Sequence, residues 1–267
     1  RIEITVKELF DKYLEQHAKK HKKSWTSDQS QYQLYLSSLG KRKISTIHRS
    51  NVELLHAKIG KDNGIYAANR ALSLLGVMFS KAISWGWEGM SPVVGIKKFR
   101  EKSRERFLQG DELPRFFKAL EEEQNRDLAD FFMMSLLTGA RRANVLSMRW
   151  QDTSIERATW TIHETKNGTS QIIPIGVEAI EILVKRLQSK SNDWVFPSST
   201  SKSGHLEEPK SAWKRILERA NLQNLRLHDL RRTMGSYQAS TGANSFIIGK
   251  SLNHKTAQAT AIYARLN

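Results

Sequence analysis

The sequence predicts a mainly α-helical chain of two domains, the second carrying one small β-sheet. Three observations predict it. The chain has 267 residues, about two domains at roughly 150 residues each. Apolar residues recur at three- and four-residue spacing along most of its length. Only two short runs are β-type, Thr159–His163 and Gln171–Ile175, and they flank Thr165-Lys166-Asn167-Gly168, whose Asn-Gly pair favours a tight hairpin turn.

Taken in order, Val6, Phe10, Tyr13, Leu14 and His17 fall at helical spacing, and Tyr32, Leu36 and Leu39 repeat it after Trp25. Ser50-Asn51-Val52-Glu53 reads as a capping box opening a helix with Leu54, Leu55 and Ile59 turned inward. Ile65, Ala68, Leu72, Leu75, Phe79 and Ala82 predict a long amphipathic helix ending near Gly86, and Gly89 and Pro92 close a first domain over 1–100. Lys97–Arg106 holds six basic residues in ten, an exposed connector, with 101–107 taken as the linker. In the second domain, 108–267, helices are expected at Asp111–Glu121 and at Leu128–Leu137, the latter mostly apolar and buried. After the hairpin, further helices are expected at 177–188, 210–221, 228–240, 244–251 and 256–265.

Composition narrows the partner. Lys and Arg number 43 against 27 Asp and Glu, a formal net charge of +16. Both parts are basic, +10 over 1–103 and +6 over the remainder, which suits two lobes gripping one long polyanion. The densest apolar stretch, Phe131–Leu137, is too short to span a bilayer, and no basic amphipathic anchor is evident, so nucleic acid is favoured over a membrane. The absence of cysteine excludes disulfides, thiolate metal sites and a cysteine nucleophile. Residue 1 is Arg, so the chain is expected to be a piece of a longer protein.

Several polar residues sit where packing alone does not want them. Arg141 and Arg142 follow the apolar helix and the Thr138-Gly139 break. His228-Asp229-Leu230-Arg231 puts His228 and Arg231 three apart, on one face of a helix start. Leu252-Asn253-His254 follows a helix, and Tyr263 comes nine residues after His254. Singly each is weak. His163 and most of the tryptophans read as structural.

Together, the order Thr-Gly-x-Arg, Thr-Lys-Asn-Gly in a hairpin, His-x-x-Arg, then His and Tyr resembles the tyrosine recombinases, the phage-type integrases and their site-specific relatives. The resemblance covers most of the chain. It implies a helical core-binding domain over 1–100 and an α+β catalytic domain over 108–267, with a site formed by Arg141, Lys166, His228, Arg231, His254 and Tyr263. It also implies a site-specific recombinase that cuts and rejoins double-stranded DNA through a covalent 3′-phosphotyrosyl intermediate. No cofactor is expected, since the transferred phosphoryl bond keeps its energy, and no metal, since no Asp/Glu cluster has divalent-metal spacing. Further protomers would join it on DNA, as a tetramer in the synapse, in the bacterial cytosol at the nucleoid.

Two residues depart from the family pattern. Asn144 stands where an acidic residue usually follows the first arginine, removing a carboxylate that would orient it. Asn253 replaces the glycine of Leu-Gly-His, a mild change because asparagine tolerates left-handed backbone. Asn144 keeps open a DNA-binding protein of this fold that no longer cuts. A type IB topoisomerase, with related chemistry, is the other alternative; relaxation of supercoils without a specific site would favour it.

Overall fold

The computed structural model describes residues 3–163, 170–254, 256, 260 and 261. The chain divides into two compact units, Arg1–Ser103 and Arg104–Asn267. The first is helical: α1 (Val6–Tyr13), α2 (Lys19–His21), α3 (Trp25–Gln31), α4 (Arg49–Asn63) and α5 (Ile65–Ser84). Val6, Leu9, Phe10 and Tyr13 bury one face of α1, and Phe10 stacks on Tyr32 at 3.9 Å. The expected periodicity is interrupted by π-turns at Leu14–Ala18 and Tyr32–Leu36.

Two expectations in this unit are corrected. The capping box lies at His48 and Asn51, where the Asn51 Oδ1 accepts the His48 N–H at 3.1 Å, so α4 begins before Ser50. Leu54 is 72% exposed, because α4 buries the Val52, His56 and Ile59 stripe, and Leu54 falls on the opposite side. The start of the basic segment is exposed, as expected, and is tethered to α5. Asn69, buried on α5, accepts the Phe99 N–H and donates to Phe99 O and Glu101 Oε1. Phe99 stacks on His56 and lies so close to Gly60 that a Cβ there would meet its ring at 2.7 Å.

The second unit is α+β. Its helices are α6 (Glu112–Glu121), α7 (Arg126–Thr138), α8 (Arg142–Leu146), α9 (Val177–Gln188), α10 (Lys210–Arg219), α11 (Leu227–Ser240) and α12 (Ser245–Ser251). The core centres on α7, which is apolar on several sides and so packs against α6, α8, α9 and α11. Phe116 and Phe132 meet Trp213 of α10 there. Three antiparallel strands, β1 (Thr153–Ser154), β2 (Thr159–Ile162) and β3 (Gln171–Pro174), lie in the order β1-β2-β3, with Ile162 opposite Gln171. The sequence does not predict β1, because two residues carry no readable alternation. The hairpin tip with Lys166, the residue Tyr263 and most of the expected 256–265 helix lie outside the described residues. No helix among the described residues is long and apolar enough to cross a membrane.

Gly139 ends α7 in the left-handed region, φ 59°. A Cβ there would come within 2.9 Å of Leu252 and 3.1 Å of Met234. Glycine is therefore required twice, for backbone and for contact, and the end of α7 can press against α11 and the turn after α12.

Candidate active site

That turn gathers four of the predicted residues. α12 closes with the His254 N–H donating to Gly249 O at 2.8 Å and the Asn253 N–H to Lys250 O at 3.1 Å, the bond pair of a Schellman cap. The cap demands a left-handed residue, and Asn253 has φ 50°. We expect Asn253→Gly to leave stability nearly unchanged and Asn253→Val to cost about 1–2 kcal/mol, read from urea unfolding midpoints. Equal midpoints for both would show that the turn adapts without strain.

A helix C-terminus leaves carbonyls with no partner inside the helix. Here side chains from other elements take them. Arg231, on the second turn of α11 and 6% exposed, donates from Nη1 to Gly139 O at 2.6 Å and from Nη2 to Leu252 O. Arg141, at the N-cap of α8, donates from Nη2 to Asn253 O at 3.3 Å. Two guanidiniums from different elements are thus fixed on successive carbonyls, with His254 next in the chain. Among the described residues Arg141 pairs with no carboxylate, and burial draws its guanidinium below its ordinary value while leaving it a cation.

His254 places Nδ1 2.9 Å from the Oγ1 of buried Thr260. Thr260 lies against Gly249, where a Cβ would come within 3.0 Å of that oxygen. Burial first, then the charges of Arg231, Arg141 and His228, pull the His254 imidazole down to about 4. His228 keeps part of its surface open to solvent. Even so, the protein around its ring, then Arg231, Arg232 and Arg141 against the opposing Asp229, hold it below the ordinary histidine range. Both imidazoles are therefore neutral at pH 7, and both sense the same two arginines.

Asp229 underlies the group. It is fully buried on the first turn of α11 and accepts from Arg104 Nη2 at 2.7 Å, Arg232 Nη1 at 2.8 Å and the Arg226 N–H at 2.8 Å. Burial alone would raise its carboxyl, but these donors and the two positive charges hold it below the usual carboxylate range. Arg104 also donates to Asn224 through Oδ1 and the backbone carbonyl, so this member of the basic segment is a packed residue. Arg232 is tied to Asp229, whereas Arg142 is exposed. His163, just past the end of β2, contacts Asp152 at 3.1 Å.

The site therefore brings together Arg141, His228, Arg231 and His254. Lys166 and Tyr263 lie outside the described residues. Asn144 is half-buried, and its side chain makes no hydrogen bond among the described residues. Sequence reasoning passed over Asp229, Arg104 and Thr260. An acidic third residue of a helix is a recognisable capping signal for Asp229; nothing local marks Arg104.

The chain belongs to the phage integrase family, the tyrosine recombinases, whose pattern matches residues 106–267. It is 34% identical over 153 residues to the prophage integrase IntF of Escherichia coli K12, a stretch covering 55% of this chain and 32% of IntF. The chain thus spans about a third of that relative's length, 32%. To the integrase of Salmonella phage P22 it is 24% identical, over 96% of this chain and 74% of that protein. Its fold matches lambda integrase, solved as a dimer bound to a COC′ core site, with a TM-score of 0.78 over 98% of this chain and 77% of that one. At 17% identity that likeness is one of fold.

Proposed function

We propose that the chain is a site-specific DNA recombinase that cuts and rejoins strands through a covalent 3′-phosphotyrosyl intermediate. The observation that carries this reading is the fixing of Arg231 on the Leu252 carbonyl and of Arg141 on the next one, Asn253, beside His254. Two planar cations held there suit the non-bridging oxygens of a phosphodiester, where negative charge accumulates during displacement. The Tyr263 oxygen would attack phosphorus, and the bond to the 5′ oxygen would break, leaving a phosphotyrosine and a free 5′-hydroxyl. Neutral His228 can take the phenolic proton, His254 can donate a hydrogen bond to the phosphate, and Lys166 would protonate the leaving oxygen. The chain's excess of positive charge supports a DNA partner, engaged with further protomers of the same chain.

A suicide substrate, nicked so that the cleaved strand diffuses away, tests this. It should trap a detergent-resistant, protease-sensitive protein–DNA adduct. Arg141→Ala or Arg231→Ala should form that adduct at least ~100-fold more slowly, the scale for losing one preorganised donor. Specific binding without any adduct would favour the second reading, a DNA-binding protein that no longer cuts, for which Asn144 is the supporting residue.

A further inference from the structure

The cap of α12 has a third side-chain contributor. Gln171 opens β3, and its Nε2 donates to both Lys250 O and Ser251 O at 3.1 Å. With Arg231 on Leu252 O and Arg141 on Asn253 O, four consecutive carbonyls, 250 to 253, each receive a side-chain donor. The strand explains how Gln171 reaches them. Gln171 and Ile173 share a face by the two-residue period; Ile173 is buried in the core, and Gln171 continues that face to the sheet end, half-buried. An amide nitrogen is required there, since the amide oxygen would face two carbonyl oxygens.

We infer that Gln171 is a positioning residue, which bolts the β2–β3 hairpin to the end of α12 and so sets the turn that carries His254 and receives Arg141 and Arg231. The inference rests on the proposed cleavage reaction for its kinetic consequence, but not for its structural one. Among the described residues Gln171 hydrogen-bonds to neither arginine and neither histidine; it acts through the Lys250 and Ser251 carbonyls. Removing it frees the last turn of α12 to shift against the sheet, and small misplacements of reacting groups carry large rate penalties. A glutamate there is worse than an alanine, because a carboxylate repels the two carbonyls it would face.

The experiment uses the full chain with Gln171→Ala, Gln171→Glu and Gln171→Lys, the last restoring a donor of similar reach. Single-turnover adduct formation at saturating suicide DNA should fall about tenfold or more in the alanine variant and further in the glutamate, with recovery in the lysine. The dissociation constant for DNA and the melting temperature should stay close to those of the parent, separating positioning from folding. In the free protein, histidine-selective NMR should show the His254 imidazole signal displaced, since its surroundings of Arg231, Arg141, His228 and Thr260 move with the turn. Normal cleavage with an unmoved His254 signal overturns the inference, as does a loss of cleavage matched by equal losses of binding and melting temperature. If the parent chain forms no adduct, the cleavage reading fails on its own. The His254 signal then decides alone, displacement supporting the role of Gln171 and an unmoved signal ending it.

Discussion

Tyr263→Phe is expected to abolish the covalent protein–DNA adduct while leaving DNA affinity within a few-fold. The change removes one oxygen, the atom proposed to attack phosphorus, and keeps the ring. Thr260, the described hydroxyl nearest in sequence, is buried and bonded to His254 Nδ1. Arg141 and Arg231 donate to the carbonyls of Asn253 and Gly139, not to Tyr263, so the groups proposed to hold the phosphate keep these contacts in the variant. Gel mobility under denaturing conditions reads the adduct, and fluorescence anisotropy reads the affinity. An adduct of undiminished yield would mean that another residue attacks, and peptide mapping would name it.

The second large effect concerns Asp229. Removing one partner of a buried ion pair leaves the other charge uncompensated, so Asp229→Ala should cost about 3–5 kcal/mol of folding stability. Arg104→Ala should cost less, because Asp229 keeps Arg232 and the Arg226 N–H. Urea unfolding measures both; a change below about 1 kcal/mol in Asp229→Ala would show that the group is solvated and the buried pair unimportant. Acid should act in two stages. His228 and His254 are depressed in the folded state, so at these two sites the unfolded chain binds more protons than the native one below about pH 6.5. Stability present above that value is lost as pH falls toward about 4, the value for His254. The Asp229 contribution persists through that range. It is lost only as pH falls below the carboxylate's unfolded value of 3.8 and through its lower folded one. His228→Asn combined with His254→Asn should flatten the first stage and spare the second.

The elements that were legible in advance share a cause: their signal is local. Ile65 to Ala82 and Leu128 to Leu137 show helical spacing within single segments, and helices appear at Ile65–Ser84 and Arg126–Thr138. The two β-type runs pair as expected because a strand's period and a hairpin's turn are both short-range signals. A local signal could also mislead. Ser50 offers a start to α4, but the cap lies at His48, and burial of Val52, His56 and Ile59 leaves Leu54 in solvent. β1 was invisible because two residues hold no pattern.

The candidate site divides the same way. From sequence alone come the mainly helical class, the basic charge, the motif order that marks the family, and the tolerance of Asn253 for the left-handed backbone it adopts. Each of these depends on residue type and near neighbours. Which carbonyl each arginine grips, the pairing of Arg104 with Asp229 across 125 residues, and the reach of Gln171 to Lys250 across 79 were settled only in three dimensions. Those contacts join side chains to backbone or charge on distant elements. Periodicity records which face of a helix or strand is buried, but not which foreign atom comes within hydrogen-bonding distance of it.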